Sequence, residues 1–487
     1  ASNITESWYS DASITDWFQK EYEGTTYPLG TLPVKWSDII KSDNVHYLQG
    51  AMNEMGEDAA LSMYQYLYGT DAPTGIDLVT PNGIKHYKNG DEIILDADGG
   101  IPIIPTNVGA EATFSVSGNV ASIDTNGILK PNGAKTGYSV LTVTPTKGSA
   151  MTFKVYSSVN DSRITISDIK DNKNAIYCLT TDDGFSYTNK WLDSKLEEYN
   201  MVATMGIVTG WIDNPKMPEM LTWEDAENLV KTGRWGVANH TKNHKQGTFS
   251  SLTEAELKDE INGGQEILRQ HFPSLPLVTM YTPGGITSTL IKSVVNEKHD
   301  ILRAAGGGSM TLPLTENSML ATKCNPVGER YNTTAEVMNG WIDTGIENGS
   351  LIVEMWHGIG DTDAADWKGN CPEEDAEMHI KYVAEKMNEG KLWVATLDDV
   401  ATYTIQKLKS KVGIVSETEN QVVLSLTDDL DDSIYKSELT LNFLMPSGYT
   451  KATASMDGKS INATVVDGKV SVTVKPDMGN ITINFVK

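Results

Sequence analysis

Residues 175–184 read Ala-Ile-Tyr-Cys-Leu-Thr-Thr-Asp-Asp-Gly, an apolar run that ends in an acidic turn. A near-continuous apolar stretch of this kind suits a strand covered on both faces, as in a parallel sheet. The pattern recurs along the chain: MVATMGIV (201–208), WGVAN (235–239), LVTMY (277–281), ILRAA (301–305), LIVEMW (351–356) and LWVATL (392–397) follow it. Helical stretches lie between them. Thr253 and Glu256 form a capping box that opens a helix over Thr253 to Phe272, with Leu257, Ile261 and Leu268 on one face. Thr222, with Asp225 three residues on, opens another. Seven strands separated by helices predict a β/α barrel, complete or not, over 159–410; an open doubly wound sheet fits the same alternation.

The flanks follow a period of two. In 80–158, Met151, Phe153 and Val155 alternate, as do Leu141 and Val143, and Asn126-Gly127 is a hairpin-type turn. In 411–487 the sets are Leu439, Leu441, Phe443; Val470, Val472, Val474; and Ile481, Ile483, Phe485, with turns at Asp457-Gly458 and Asp467-Gly468. Two small β-sandwiches are expected, so the fold class is multidomain α/β plus β. The acidic run Asp428 to Asp432 is a solvated loop or a calcium ligand set. Residues 1–79 are rich in aromatics, among them Trp8, Trp17, Trp36 and Tyr64. They read mostly helical, because Glu57 to Tyr68 lacks Gly and Pro and stops at Gly69. Such aromatics stack on sugars or pack a subdomain onto its neighbour.

At roughly 150 residues per domain, 487 residues suggest a chain of several domains. With 39 Lys+Arg against 65 Asp+Glu the formal charge is −26, which argues against nucleic acid or an anionic membrane as partner. An uncharged polysaccharide is indifferent to that field. No apolar run approaches the ~20 residues that a membrane span needs. Cys178, Cys324 and Cys371 are too few for a disulfide framework, and none sits in a C-x-x-C. They read as small buried hydrophobes. No basic-plus-apolar leader stands at Ala1, as expected of both a processed secreted chain and a cytosolic one.

In β/α folds the catalytic groups follow the C-terminal ends of the strands. Thr181-Asp182-Asp183-Gly184 follows the first run, and Asn239 to His244 follows the third. Tyr281-Thr282-Pro283-Gly284-Gly285 closes the fourth, and His357-Gly358 follows the sixth. Three of the eight histidines thus stand at strand ends. His240 and His244, four apart on a helical turn, can reach one ion, and Asp183 completes a set of three. Two His and one carboxylate leave open positions, as catalytic zinc or iron sites require. In extended backbone Asp182 points to the other side, free to act as a base. His357 is placed to protonate a leaving group.

These motifs, TTDDG, HTKNH and LIVEMWHG, resemble the polysaccharide deacetylase family, carbohydrate esterase family four. The resemblance implies a distorted (β/α)7 barrel and a divalent metal, usually zinc. It assigns Asp182 as base, Asp183, His240 and His244 as ligands, His357 as acid and the Gly284 N–H as oxyanion donor, with room for substrate where that glycine lacks a side chain. It implies an acetylated polysaccharide or oligosaccharide as substrate, carrying either O-acetyl or N-acetyl groups. The family's third motif has Arg two residues before Pro; here Tyr281 stands there, and no Asp-Trp pair of a fourth motif lies near ILRAAGGG. Loss of both partners of an ion pair leaves no orphan charge, so a differently tuned base is expected. Asp398 is either a substitute partner or an exposed or capping residue. Trp211, Trp356 and Trp367 flank a sugar or pack, Asp361, Asp363 and Asp366 shape the cleft or are solvated, and Glu354 needs a partner. The text ATFSVSGNVASIDTNGILKPNGAKTGYSVLTVTP resembles bacterial Ig-like domains of group 2, which implies a secreted, periplasmic or cell-surface chain. A rival reading is a carbohydrate-binding protein on a decayed deacetylase scaffold, favoured by the missing Arg and Asp-Trp; another is a surface scaffold without metal.

Overall fold

The computed structural model describes residues 73–487 apart from 81–82, 96–99, 107–111, 133–137, 147, 158–160 and 362–367. Trp8, Trp17, Trp36, Tyr64 and the stretch from Glu57 to Tyr68 lie outside the described residues, as do Asp363, Asp366 and Trp367. The chain divides into two compact units. One comprises Ala1–Ser162, Lys411–Ser425 and Asn480–Ile483; the other comprises Arg163–Ser410, Leu426–Gly479 and Asn484–Lys487.

In the first unit two sheets share one core. Gly75–Thr80, Gly83–Lys88, Ile101–Pro105, Ala121–Ile123 and Ile128–Pro131 form one; Glu92–Leu95, Ala112–Ser117, Ser139–Pro145 and Met151–Ser157 form the other. The alternation predicted there turns Leu141, Val143, Met151, Phe153 and Val155 inward against Ile76, Leu78, Ile93 and Leu95.

The second unit is built on a parallel half-barrel. All seven apolar runs are strands: β1 (Ala175–Thr181), β2 (Ala203–Ile207), β3 (Trp235–Asn239), β4 (Thr279–Tyr281), β5 (Ile301–Arg303), β6 (Ser350–Trp356) and β7 (Leu392–Val394). Every residue of β1, β2 and β3 is buried, which is why the sequence shows no alternation there. The order is β5-β4-β3-β2-β1-β6, each pair parallel. Strand β7 pairs with the foot of β1, at Ala175 to Tyr177, while β2 takes β1 at Leu179 to Thr181. The two outer strands are bridged by a segment that no apolar run announced: Thr322 pairs with Arg303 of β5, and Asn325-Pro326 pair with Glu354-Met355 of β6. At the head of the sheet, the Asp182 N–H donates to the Trp356 carbonyl at 2.8 Å.

Helices cover the outside: α1 (Ser186–Tyr199), α2 (Trp223–Lys231), α3 (Glu254–His271), α4 (Thr289–Val295), α5 (Ala335–Asn348), α6 (Glu373–Asn388) and α7 (Leu397–Lys409). Thr222 caps α2 by accepting from the Asp225 N–H, and Thr253 with Glu256 closes the capping box of α3. Among the described residues, no helix is long and apolar enough to cross a membrane.

Two buried acids answer to this packing. Glu354 on β6 accepts from Tyr177 Oη (2.8 Å) and Trp356 Nε1 (3.0 Å), and His379 Nε2 of α6 lies 3.0 Å away. Asp398, expected to be exposed, capping or a partner for the base, is buried in the first turn of α7. It accepts from the Leu277 and Val278 N–H groups and the Thr279 hydroxyl at the foot of β4, the end of the sheet away from Asp182. Burial pushes its carboxyl up to about 7.

Leu426–Gly479 clusters with the half-barrel. Its strands Leu439–Leu444, Lys469–Val474 and Thr464–Val466 extend Ile164–Ile166 into an antiparallel sheet, with Leu439, Leu441, Phe443, Val470, Val472 and Val474 buried. Tyr435 Oη donates to Asp300 just before β5, at 2.8 Å. The three cysteines are free and buried.

Candidate metal centre

The chain leaves β1 through two left-handed residues, Asp183 (φ 69°) and Gly184 (φ 86°). That bend overrides the alternation expected of extended neighbours. Both carboxylates turn into one hollow, and both are buried. His240 stands directly after β3. Its Nδ1 lies 3.0 Å from the Tyr281 carbonyl, which fixes that nitrogen as the donor and leaves the Nε2 lone pair facing the hollow. Asp183 Oδ1 lies 3.4 Å from His240 Nε2 and 3.6 Å from His244 Nε2.

His240 and His244 are not on a helical turn. The intervening chain is an irregular loop with Thr241 (φ 70°) and His244 (φ 52°) in the left-handed region. Thr241 Oγ1 accepts from the His244 N–H at 3.0 Å, which folds the loop back. The two rings meet edge to face with centroids 4.7 Å apart. The spacing of four brings the two rings together through a bent loop, not through the helical turn expected from the sequence.

Asp183 Oδ1 is buried without a hydrogen-bond partner. One candidate donor atom each from Asp183, His240 and His244 lies within 4.8 Å of the others. Three lone pairs aimed at one another in a water-poor hollow are unfavourable unless a cation sits among them. The residues therefore fit a divalent metal. Burial, then the neighbouring His240, push His244 down to about 4, so its imidazole is neutral at pH 7 as a ligand must be. Burial would raise the Asp183 carboxyl, but His240, His357 and His244 outweigh it and hold it well below the usual carboxylate range.

His357 follows β6 and enters the same hollow. Its Nε2 lies 3.8 Å from Asp182 Oδ2 and 3.9 Å from Asp183 Oδ2. All five side chains singled out in the sequence thus meet. A second acidic group, Asp428 and Asp432 with Asp477, gathers at a partly exposed surface.

The expectation that Asp182 lacks a cation is overturned. Arg303, the last residue of β5, donates from one Nη2 to both Asp182 oxygens, at 2.6 and 2.7 Å. Its guanidinium stacks 3.8 Å from the Tyr281 ring centroid. Tyr281, in the position where the family has Arg, thus supports an Arg supplied by the next strand. Burial would raise the Asp182 carboxyl; Arg303 first, then His240 and His357, outweigh it, and the net shift is downward. The missed signal was a lone cation inside the apolar run ILRAA, at the last residue of its strand and one short of the position that Asp182, His240 and His357 hold.

The cleft over these groups has a volume of about 580 Å³. Trp211 lines it, its ring 4.9 Å from that of His244, and packs with Phe185, Met217 and Met220 into an apolar wall. Trp356 does not flank the cleft: it is fully buried and tied to Glu354. Gly284 lines the cleft with φ 62°, but the room beside it is filled. A Cβ there would lie 3.1 Å from Gln246 Nε2, so Gln246 occupies the space expected for substrate. Asp361 is exposed.

Residues 169–300 match the family model of polysaccharide deacetylases. The match stops short of Arg303 and His357. Among solved structures, a family 4 carbohydrate esterase from Streptomyces lividans in complex with acetate is 19% identical; the match covers 45% of this chain and 91% of that one, with a TM-score of 0.29. A peptidoglycan deacetylase from Bacillus subtilis is 15% identical over 48% of this chain and 92% of that one, with a TM-score of 0.30. A gellan lyase from a Bacillus species is 20% identical over 346 residues, which is 64% of this chain and 13% of the relative's own length. The stretch that carries the paired carboxylates and the paired imidazoles, residues 169–300, is thus similar to the polysaccharide deacetylase family.

Proposed function

We propose that this chain is a metal-dependent hydrolase that removes acetyl groups from a carbohydrate polymer or its oligomers. The observation that carries the proposal is the meeting of a cation-paired Asp182, the Asp183–His240–His244 set and His357 in one hollow. A base and an acid flanking a ligand set are what acyl hydrolysis needs. A divalent ion held by those three residues, zinc by the choice of donors, would supply a Lewis acid for the acetyl carbonyl.

The chain's own groups do the rest. Asp182, oriented by Arg303, takes a proton from the attacking water. The Gly284 N–H is the proposed donor to the oxyanion, an interaction typically worth about 3–4 kcal/mol. His357 gives a proton to the departing sugar oxygen or nitrogen as the bond to the acetyl carbon breaks, and acetate leaves. The Trp211 wall suits the acetyl methyl or a sugar face. Both an O-acetylated hemicellulose such as xylan and an N-acetylglucosamine polymer suit this machinery. Such polymers lie outside the cytoplasm, and we assign the chain there, with 80–158 and 411–487 as accessory β modules.

The reading as a decayed, purely binding scaffold drew its support from the absent Arg and Asp-Trp motifs, and Arg303, which holds Asp182, weakens the first of these. Metal-stripped protein, resupplied with zinc and given acetylated xylan or chitin oligomers, should release acetate. Asp182→Asn should lower turnover about 100- to 10,000-fold while keeping its metal. Near-normal rates in that variant would refute the base assignment, and binding without release would favour the scaffold.

A further inference from the structure

Helix α3 breaks its own rules at one place. Asn262, Gly263 and Gly264 stand in its middle, where each glycine costs about 1 kcal/mol relative to Ala. One turn earlier Glu260 is fully buried, although a charged side chain so placed costs several kcal/mol unless it is well partnered. Both anomalies face the His240–His244 loop.

Glu260 Oε2 accepts from the Asn243 N–H at 2.9 Å, and Oε1 accepts from Asn243 Nδ2 at 2.8 Å. Lys245 Nζ, part-exposed, lies 3.1 Å from Oε1. The Glu260 carbonyl accepts from the Lys242 N–H at 2.9 Å, and the Ile261 carbonyl accepts from Asn239 Nδ2 at 2.8 Å. Asn239 Oδ1 in turn accepts from the Thr241 N–H at 3.0 Å. Gly264 is where the loop presses closest: a Cβ there would stand 2.8 Å from Asn239 Oδ1 and 3.2 Å from the Lys242 nitrogen. The loop needs outside support, since non-glycine residues in left-handed backbone cost on the order of 1–3 kcal/mol each, and Thr241 and His244 are two.

We propose that Glu260, seated beside Gly264, is a positioning residue that holds His244 on the metal through Asn243. It touches none of the three ligands; it fixes the residue next to one of them. The inference rests on the metal reading above. Loss of such an outer partner typically weakens metal binding about 10- to 100-fold.

The test uses metal-stripped full chain, with cobalt(II) and zinc as probes. Dissociation constants come from chelator competition, and the visible absorption of the cobalt form reports ligand geometry. Glu260→Ala should weaken both metals about 10- to 100-fold and alter the cobalt spectrum. Glu260→Gln, which keeps one carbonyl acceptor, should fall between it and the wild type. Leu268→Ala, on the core side of the same helix, should lower Tm yet leave the spectrum and the dissociation constants unchanged. A Glu260→Ala protein with wild-type affinity and spectrum overturns the inference and leaves the deacetylase reading standing. A wild-type chain that takes up neither metal overturns both.

Discussion

Replacing Arg303 with Met tests the site most severely, because it removes a charge without removing bulk. Arg303 and Asp182 are each about 95% buried, so the carboxylate is largely shielded from bulk water. Breaking a buried pair at one side costs about 3–5 kcal/mol. An escape route sets a second bound: Asp182 can take up a proton. From an ordinary value of 3.8 to pH 7, that costs about 4 kcal/mol at 1.36 kcal/mol per unit. The two figures agree, so Arg303→Met should lose about 4 kcal/mol of stability at pH 7, and less at lower pH, where the lone carboxyl is protonated anyway. The kinetic signature is distinct. A base paired with a cation stays ionised to lower pH, so loss of Arg303 should move the acid limb of kcat/KM upward. Urea unfolding at several pH values reads the first effect, and pH–rate profiles on an acetylated oligosaccharide read the second. The double variant Tyr281→Arg, Arg303→Tyr returns the cation to the neighbouring strand and should recover part of both losses. An unmoved acid limb together with wild-type stability in Arg303→Met would refute the reasoning.

Two further outcomes are expected. Burial lowers the His299 pKa from 6.5 to about 4, so the unfolded chain binds more protons between those values; the stability this supplies is whole above pH 6.5 and is lost as pH falls toward 4. His299→Gln should flatten that dependence by about 2 kcal/mol between pH 7.5 and 5, as read by chemical denaturation, and equal slopes in both proteins would contradict the assignment of a neutral buried imidazole. Glu354→Ala strands Tyr177 Oη, Trp356 Nε1 and His379, and should cost about 3–5 kcal/mol; a midpoint within the error of wild type would show that the network contributes nothing.

The strands were legible because burial on both faces leaves an unmistakable apolar run, and the five pocket residues because each follows such a run directly or, for His244, within a short loop. What could not be read lies in conformations that spacing does not encode. The interval between His240 and His244 is the same on a helix and on a loop with two left-handed residues. The alternation rule failed at Asp182-Asp183 because one positive φ cancels it. Arg303 is hidden among apolar neighbours, and its anion, Asp182, lies 121 residues away in the sequence. Two partners of Glu354, Tyr177 of β1 and His379 of α6, and the partner of Glu260 in the His240–His244 loop are brought to them only by packing.

The hydrogen bond from the Asp182 amide to the Trp356 carbonyl puts Asp182 and His357, the proposed base and acid, at the heads of two adjacent strands of a single parallel ladder. Their separation is therefore quantised by strand register rather than tuned by loops. Insertions in the loops between residues 184 and 349 leave that register untouched, whereas a slip of β1 against β6 by one residue would turn one of the pair out of the pocket altogether. Loop changes around the cleft can thus reshape its walls while the spacing of the proposed base and acid stays locked.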